Sequence, residues 1–405
     1  MLRNNSHKPA ASKHATSKQQ RADGRVASIG MAKALSDRVA FADPGADLAP
    51  IRQNILSAIA EVVDRGEYIL GPSVAKFERE LAARLGVAAI VGVASGTDAL
   101  ALALKALGVH QGDEVITVSH TAGATVAAIR TIGATPVLID IDPETYCLDP
   151  AKLEAARSPW SKAIVAVHLY GQPADMRRIV EFGRRHAIAV VEDCAQAQEA
   201  TVDGQPVGSI GEIGCFSFYP TKILGAIGDA GAVATRDAAT GERVRLLRTY
   251  GWTQPQFATV PGGCSSRLDE LQAAILSIRL RHLSEQVERR RSIASKYGEA
   301  LAGLPLHLPR ERAGSRHVYH LYVIRTDRRD EMRAHLDRDG ISTGVHYPYP
   351  AHKQPGLAEG ARIPAPLTVT ETIAREILTL PLFPALSDDQ QDRVIASVRS
   401  YFGKS

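Results

Sequence analysis

The sequence predicts an α/β fold in which helices cover a mostly parallel β-sheet. The first indication is that short runs rich in Val, Ile and Ala alternate with segments of helical period over residues 88–235. The second is that these runs are apolar throughout, which is typical of strands buried on both faces. The third is that helical segments are followed by Gly86, Gly108 and Gly133, since glycine commonly ends helices. Strands joined through helices in this way form a parallel sheet.

The elements follow one another in a regular order. Two helices come first, at residues 51–64 and 74–85, and the segment 66–72 separates them. Strands are then predicted at residues 88–93, 114–118, 137–141, 163–169, 188–191, 215–218 and 232–235. The helices between the earlier strands are predicted at residues 97–107, 124–132 and 174–186. Ligands of such sheets bind beyond the carboxyl ends of the strands, so functional residues are expected there.

The C-terminal part of the chain has a different pattern. Helical spacing extends from residue 266 to about 301 and predicts one long helix or two in tandem. Beyond it, a strand at 317–325 and helices at 330–338 and 388–401 flank a proline-rich loop at 347–350. We therefore predict a disordered basic tail at residues 1–38, a large α/β domain at 39–290 and a smaller α/β C-terminal domain at 291–405.

Composition and charge limit the classes of function. The content of 45% hydrophobic and 23% charged residues is ordinary for a globular protein. The net charge is +4, but residues 1–38 contain eight Lys or Arg and two acids, so the rest of the chain is net acidic. This balance argues against a nucleic-acid groove in the folded body. No apolar run is long enough to cross a membrane, so no membrane span is predicted.

The cysteines and histidines predict neither a disulfide framework nor a metal site. His317 and His320 lie three apart in a predicted strand, so their side chains would face opposite sides. The four cysteines are far apart and form no C-x-x-C pair, which fits a reduced, cytoplasmic protein. They are Cys147, Cys194, Cys215 and Cys264.

The segment around Lys222 has the features of a reactive amine held beside a buried strand. An apolar and aromatic run ends at Tyr219, and Pro220 stops it because proline cannot donate to a sheet ladder. Lys222 follows, and a glycine-rich run occupies residues 225–231. Desolvation would lower the pKa of this amine and make it a nucleophile or Schiff-base former. On its own, the segment fits a solvated surface lysine better, and the other motifs change that balance.

Residues 94–100, ASGTDAL, form a predicted strand-to-helix turn. Gly96 lets the backbone approach a ligand closely, and the N–H groups of Gly96 and Thr97 would point outward from a helix N-terminus. The turn therefore predicts a phosphate cradle. The alternative is a plain helix cap formed by Ser95 or Thr97, which on its own is the more common arrangement.

Asp193 comes directly after a predicted buried strand. A carboxylate there can hold a cationic ring nitrogen in its protonated form, as a pyridinium electron sink requires. Gln196 could reach a ring oxygen, and Ser217 could donate to the same phosphate as residues 96–97. The alternatives are that Asp193 is a cap or a surface acid and that Ser217 is a core serine bonded to the backbone.

Eight segments together resemble those of the DegT family of pyridoxal-phosphate sugar aminotransferases. Their order and spacing agree over about residues 41–402. The segments are YILGP (68–72), ASGTDAL (94–100), GATPVLIDIDP (133–143), HLYGQPADM (168–176), VEDCAQA (191–197), GCFSFYPTK (214–222), SRLDELQAA (266–274) and HYPYPAHKQP (346–355). The resemblance implies a fold-type I aminotransferase with pyridoxal 5'-phosphate as cofactor, and a homodimer with shared active sites.

The resemblance also implies roles for individual residues. Lys222 would form the Schiff base with the cofactor, Asp193 would pair with the ring nitrogen, and Gln196 would contact the ring hydroxyl. The phosphate-binding residues would be Gly96, Thr97 and Ser217. The residues near the sugar nucleotide would be His346 and Tyr347.

The chain departs from the family pattern at two positions. Ala122 stands where the family often has an aromatic residue that stacks on the pyridine ring, so either His120 would cover the ring face or the face would be less covered. Ser265 stands where an asparagine of the G-x-N-S-R motif reaches the cofactor of the neighbouring subunit. Serine is shorter, so this contact would be weaker, but neither change removes the chemistry.

The resemblance predicts transfer of an amino group from L-glutamate to a nucleotide-linked keto sugar. The stretches HTAGATVAAI and YGWTQ resemble those of 3-keto-sugar enzymes, which favours a dTDP-3-keto-6-deoxyhexose. The alternatives are a 4-keto-sugar nucleotide, a keto-cyclitol, or a non-catalytic regulator with the same fold. Lys222 argues against the dehydratase branch of the family, which has histidine at this position.

Overall fold

A seven-stranded sheet lies at the centre of the computed structural model, which describes residues 38–403. The strands along the chain are β1 Ala89–Val93, β2 Glu114–Val118, β3 Thr135–Ile139, β4 Ser161–Val167, β5 Ala189–Asp193, β6 Thr201–Val202, β7 Gln205–Pro206, β8 Ile213–Ser217, β9 Gly231–Thr235, β10 Trp252–Gln254, β11 Phe257–Ala258, β12 Ser315–Arg316, β13 Tyr322–Arg325 and β14 Ile377–Leu380. The large sheet has the order β1-β9-β8-β5-β4-β2-β3. Within it, β9 runs opposite to the other six strands, so the predicted mostly parallel sheet is confirmed.

Helices of the described chain pack on both faces of the sheet, which explains why its strands are apolar throughout. The helices of the described chain are α1 Pro44–Leu48, α2 Arg52–Arg65, α3 Pro72–Leu85, α4 Gly96–Ala106, α5 Gly123–Thr131, α6 Leu153–Ala156, α7 Met176–His186, α8 Ala238–Leu247, α9 Glu270–Arg281, α10 Leu283–Ala300, α11 Arg329–Arg338, α12 Pro355–Ala358, α13 Thr368–Glu376 and α14 Asp388–Tyr401. Val115 of β2 belongs to the same core cluster as Leu104 of α4. Its neighbour Ile116 belongs to the cluster of Phe182 in α7. Because successive strand residues point to opposite faces, both faces are covered.

The predicted helical region at 266–301 is two helices in tandem. Helix α9 ends at Arg281 and α10 begins at Leu283, with His282 between them. The start of α9 is tied to the start of α3 because the buried carboxylate of Glu270 accepts the N–H groups of Ser73 and Val74, at 2.9 and 2.8 Å. These contacts place α9 beside the first helices of the chain.

The predicted strand at 317–325 is wrong over its first half. Strand β13 begins only at Tyr322 and pairs antiparallel with β14. Tyr319 has a φ of 47°, a left-handed conformation that a strand cannot accommodate. The backbone N–H groups of Val318 and Leu321 instead donate to the carbonyls of Gly171 and Tyr170. Residues 317–321 therefore pack against the turn that follows β4, close to the carboxyl edge of the sheet.

Three further expectations concern the limits of the fold. The tail predicted at residues 1–38 lies outside the described residues, apart from Arg38. The predicted domain boundary at residues 290–291 falls inside α10, and the division into two domains remains a prediction. In the part of the chain that the structure describes, no helix is both long and apolar enough to cross a membrane.

Candidate active site

The carboxyl ends of β1, β5 and β8 meet at one edge of the sheet, beside a cavity of about 240 Å³. Six residues predicted from the sequence line this cavity, although they come from three separate segments of the chain. They are Gly96, Thr97, Asp193, Gln196, Ser217 and Lys222. The expectation that functional residues gather at this edge therefore matches their positions. We call this space the cofactor cavity.

One end of the cofactor cavity is the N-terminus of helix α4. Ser95 is the N-cap, and its Oγ accepts the N–H of Asp98 at 3.1 Å, so the capping alternative is present. The N–H groups of Gly96 and Thr97 have no acceptor among residues 38–403 and remain available to an anion. A Cβ on Gly96 would lie 2.6 Å from the Cβ of Ser217, so only glycine allows this close approach. Capping and phosphate binding are compatible here.

Asp193 ends strand β5, and both of its carboxylate oxygens are held. Oδ1 accepts the N–H of Ala195 at 3.1 Å, and Oδ2 accepts the hydroxyl of Thr125 at 2.8 Å. Thr125 is buried and in turn pairs with Thr121, four residues earlier in the chain, at 3.0 Å. The sequence did not predict this support, because Thr125 and Asp193 are 68 positions apart and no local motif marks their contact. The fixed carboxylate can hold a cationic ring nitrogen.

Lys222 lies in the turn after β8, where its backbone N–H donates to the carbonyl of Tyr219 at 2.8 Å. Within the described residues, no side chain or carbonyl forms a hydrogen bond or ion pair with its amine. Burial lowers the pKa of Lys222 from 10.5 to about 8, and the negative charge of Asp193 partly opposes this shift. An unpartnered amine with a lowered pKa is suited to Schiff-base formation and proton transfer.

A second cavity, of about 320 Å³, shares Lys222 and Tyr219 with the first. We call it the substrate cavity. Its wall contains His346 and Tyr347, which the family resemblance assigned to the sugar nucleotide, together with three residues that were not assigned from the sequence. These are Asp47, Arg290 and His320. They come from distant parts of the chain and carry no local motif, so no sequence signal marked them.

The substrate cavity is rich in nitrogen donors. Arg290 is buried, and its Nη1 donates to the carbonyls of His320 and Leu382 at 3.4 and 3.1 Å, while its Nε has no partner in the described part of the chain. Burial lowers the pKa of His320 well below its usual range, and the nearby positive charges of Lys222 and Arg290 lower it further. Its Nδ1 is buried and has no hydrogen-bond partner among the described residues. A negatively charged ligand would complement this set.

Among the described residues that line the substrate cavity, Asp47 is the one acid, and its negative charge opposes the positive charge of Arg290. Asp47 accepts the N–H of Ala385 at 2.9 Å. Burial raises its pKa, while the bond from Ala385 and the charge of Arg290 lower it. Burial also lowers the pKa of His346 to about 4, and the charge of Lys222 adds to this effect. Both histidines of the cavity are therefore neutral at pH 7.

Gln196 connects the two cavities. It lines the cofactor cavity, its Oε1 accepts the N–H of Tyr170 at 2.7 Å, and its Nε2 donates to the hydroxyl of Tyr347 at 2.9 Å. Tyr347 lines the substrate cavity. The sequence assigned Gln196 to the ring oxygen and Tyr347 to the sugar nucleotide, and did not anticipate that the two side chains bond to each other.

His120 and Ser265 lie apart from the cofactor cavity in this chain. His120 is fully buried, and its Nε2 lies 2.7 Å from the hydroxyl of Tyr170. Thr121 and Ala122, rather than His120, line the cavity. Ser265 is exposed, and its Oγ accepts a bond from Arg267 at 2.9 Å. Their predicted cofactor contacts remain predictions, and the one for Ser265 concerns a neighbouring subunit.

A buried group of His168, Glu192 and Cys194 lies next to the site, with its ligand atoms within 4.8 Å of one another. Nδ1 of His168 accepts the N–H of Ala174 at 3.0 Å, so the ring proton is on Nε2 and is donated to Glu192 at 3.1 Å. Oε1 of Glu192 accepts two further backbone N–H groups, at 2.8 Å each. The atoms of His168 and Glu192 that could bind a metal already form hydrogen bonds within the fold. We therefore assign this group a structural role.

The polar groups that line the cofactor cavity complement a phosphorylated pyridine. The free N–H groups at Gly96 and Thr97 match a phosphate, and the carboxylate of Asp193 matches a ring nitrogen. The amine of Lys222 matches an aldehyde. Gly96 and Ser217 approach so closely that a larger residue at position 96 would fill this end of the cavity.

Comparisons with known proteins agree with this fit. A family model described as the DegT/DnrJ/EryC1/StrS aminotransferase family matches residues 50–399. A dTDP-3-amino-3,4,6-trideoxy-α-D-glucose transaminase of Micromonospora megalomicea is 47% identical over 354 residues, which cover 86% of this chain and 94% of that protein. A UDP-N-acetyl-3-dehydro-α-D-glucosamine 3-aminotransferase of Acidithiobacillus ferrooxidans is 44% identical over 361 residues, 89% of this chain and 97% of that protein.

Among solved structures, S. venezuelae DesV in complex with a ketimine intermediate superimposes with a TM-score of 0.88 at 45% identity. The match covers 91% of this chain and 99% of that one. Fold, site and comparisons together define a pyridoxal-phosphate-dependent aminotransferase. The chain belongs to the DegT/DnrJ/EryC1/StrS aminotransferase family, as the resemblance predicted.

Proposed function

We propose that this aminotransferase moves an amino group from L-glutamate to a nucleotide-linked keto sugar, with a dTDP-3-keto-6-deoxyhexose as the favoured acceptor. The observation that carries the proposal is the position of Lys222, which borders both cavities and has an unpartnered amine. The names of the two relatives above both place the amino group on carbon 3 of a nucleotide-linked sugar. This shared position supports a 3-keto acceptor.

Each residue of the cofactor cavity would have a defined task. When bound, pyridoxal phosphate supplies an electron sink and carries the amino group between the two substrates. Lys222 would anchor it and then, once free, move a proton to and from the α-carbon of the donor as general base and acid. Asp193 would keep the ring nitrogen protonated. The N–H groups at Gly96 and Thr97 and the hydroxyl of Ser217 would hold the phosphate.

The substrate cavity would receive the donor and the sugar nucleotide in turn. Both molecules are anionic, which fits the positive charge of Arg290 in the wall of the cavity. Its volume of about 320 Å³ is at the lower end for a ligand site and suits the amino acid or the sugar ring rather than a whole sugar nucleotide. The nucleotide would therefore extend out of the cavity, past His346 and Tyr347.

We further propose a homodimer with shared active sites, located in the cytoplasm. Tyr68, Ile69 and Phe257 are 52%, 51% and 58% exposed, although large apolar side chains are usually covered. A partner subunit would cover them, and the exposed Ser265 would then be free to approach a neighbouring cofactor. The four cysteines are free thiols, which favours a reducing compartment.

The two half-reactions test the proposal separately. Purified protein loaded with pyridoxal phosphate is mixed with L-glutamate alone, and the visible absorption of the cofactor is followed. We expect glutamate to convert the band and a 3-keto-6-deoxy sugar nucleotide to restore it. If a 4-keto sugar alone restores the band, the regiochemistry is wrong while the class of reaction stands. If no amino donor converts it, the proposed reaction fails and a non-catalytic role is favoured.

A further inference from the structure

The amide of Gln196 has one possible orientation. The backbone N–H of Tyr170 can only donate, and it lies 2.7 Å from the Gln196 oxygen, so Oε1 must face it. The nitrogen therefore faces the hydroxyl of Tyr347, at 2.9 Å. Nε2 carries two protons, and within residues 38–403 this contact engages only one of them. The second proton has no acceptor in the described chain, while Gln196 borders the cofactor cavity.

A closed cycle of contacts holds this orientation. The hydroxyl of Tyr170 donates to the carbonyl of His346, the residue bonded to Tyr347. Tyr170 thus holds the amide of Gln196 through its backbone and the loop of Tyr347 through its side chain. His120 supports Tyr170, because the Tyr170 proton goes to His346 and Nε2 of His120 must then donate to the Tyr170 oxygen. Each member of the cycle fixes its neighbour.

Tyr347 is chemically suited to receive this bond. Burial raises its pKa to about 12, partly offset by the bond from Gln196, so the phenol is neutral throughout the working range. A neutral phenol accepts from Nε2 and keeps its own proton, which has no acceptor among the described residues. Tyr349 lies two residues further on, and its side chain is 67% exposed, whereas that of Tyr347 is largely buried.

We propose that Tyr347 is a positioning residue that holds the amide of Gln196 so that its second N–H points at the ring oxygen of the cofactor. This inference rests on the proposed function, because it uses the cofactor assigned to the cavity. It changes the role predicted for Tyr347 from the sequence, which was contact with the sugar nucleotide. It also makes the loop of the substrate cavity a determinant of the electronic state of the cofactor.

The sign of the effect follows from charge. A donor at the ring oxygen stabilises the form of the cofactor with more negative charge on that oxygen, which is the deprotonated form. The contact therefore lowers the pH midpoint of the visible absorption of the bound cofactor. Without the hydroxyl of Tyr347, the amide loses its second anchor and the contact weakens. The midpoint should then rise.

The test is a pH titration of the absorption of the loaded enzyme, which requires no turnover. We expect Tyr347→Phe to raise the midpoint by about half a unit, a roughly threefold change in the proton dissociation constant. Tyr349→Phe is the matched control in the same loop and should leave the midpoint unchanged. Gln196→Ala should raise the midpoint further, and adding Tyr347→Phe to Gln196→Ala should have no additional effect.

Three results would overturn the inference. The first is an unchanged midpoint in Tyr347→Phe with a raised KM for the sugar nucleotide, which would restore a direct substrate contact. The second is an equal shift from Tyr347→Phe with and without Gln196, which would exclude transmission through the amide. The third is a chain that binds no cofactor, which also ends the proposed function. If the loaded enzyme does not aminate sugars, only the proposed function is contradicted. The inference about Tyr347 can still be tested, because the pH titration requires no turnover.

Discussion

The two cavities that meet at Lys222 are built in different ways. The cofactor cavity is made by residues that end or closely follow strands of the sheet, such as Asp193, Ser217 and Gly96. The substrate cavity is made by residues from the first helix, the long helix α10 and three loops of the C-terminal part. The first is therefore held by sheet hydrogen bonds, while the second depends on packing between distant segments. Substitutions in the two cavities should affect different measured quantities.

Lys222 belongs to both cavities, and its loss should have the largest effect. Lys222→Ala removes the anchor and the proton-transfer group together, so turnover should fall by at least about 10⁴-fold. Cofactor should still bind through its phosphate, without the absorption of a lysine adduct. The measurement is turnover beside cofactor content after gel filtration. Residual turnover within about tenfold of the wild type would show that another group moves the proton.

Gly96→Ala should act on the cofactor cavity alone. The added Cβ would lie 2.6 Å from the Cβ of Ser217, so the strand end or the helix must shift. We expect the dissociation constant of the cofactor to rise by roughly 10- to 100-fold, which corresponds to about 1.4–2.7 kcal/mol. The control is Gly356→Ala, since an added Cβ there meets nothing within 4 Å. Equal affinities in the two variants would contradict the phosphate cradle.

His320→Asn should act on the substrate cavity alone. His320 lines the substrate cavity, so a substrate anion that enters the cavity would accept a hydrogen bond from its ring. Loss of one such hydrogen bond predicts a rise in KM of roughly 3- to 10-fold for one of the two substrates. The dissociation constant of the cofactor should not change. A higher dissociation constant of the cofactor with an unchanged KM would show that substitutions in the two cavities do not have separate effects.

The smallest effect concerns the protonation of Lys222. Its folded pKa of about 8 lies below the ordinary 10.5, so its amine should react with an acylating reagent at lower pH than other lysines. Peptide mass spectrometry of cofactor-free protein should give a labelling midpoint near pH 8. The unfolded chain keeps this proton up to about 10.5, so the free energy of unfolding gains a contribution that grows from about pH 8 to 10.5. A midpoint above 10 would show a solvated amine.

The sequence was most informative where function depends on short segments. The elements flanking Gly96, Asp193 and Lys222 were predicted to within a few residues, because apolar runs, glycine and proline mark strand ends locally. The family resemblance added roles that the residue types alone left open. By contrast, the strand predicted at 317–325 was wrong over residues 317–321, where contacts with Gly171 and Tyr170 outweigh the apolar pattern.

By itself, the sequence determined the mostly parallel sheet, the edge at which the site lies and six of the residues that line the cofactor cavity. Only the tertiary structure decided that Thr125 supports Asp193, that Arg290 and His320 face Lys222, and that Tyr347 bonds to Gln196. The physical reason is distance along the chain. Strand ends are specified by neighbouring residues, whereas a hydrogen bond between residues 151 positions apart exists only after the whole chain has folded.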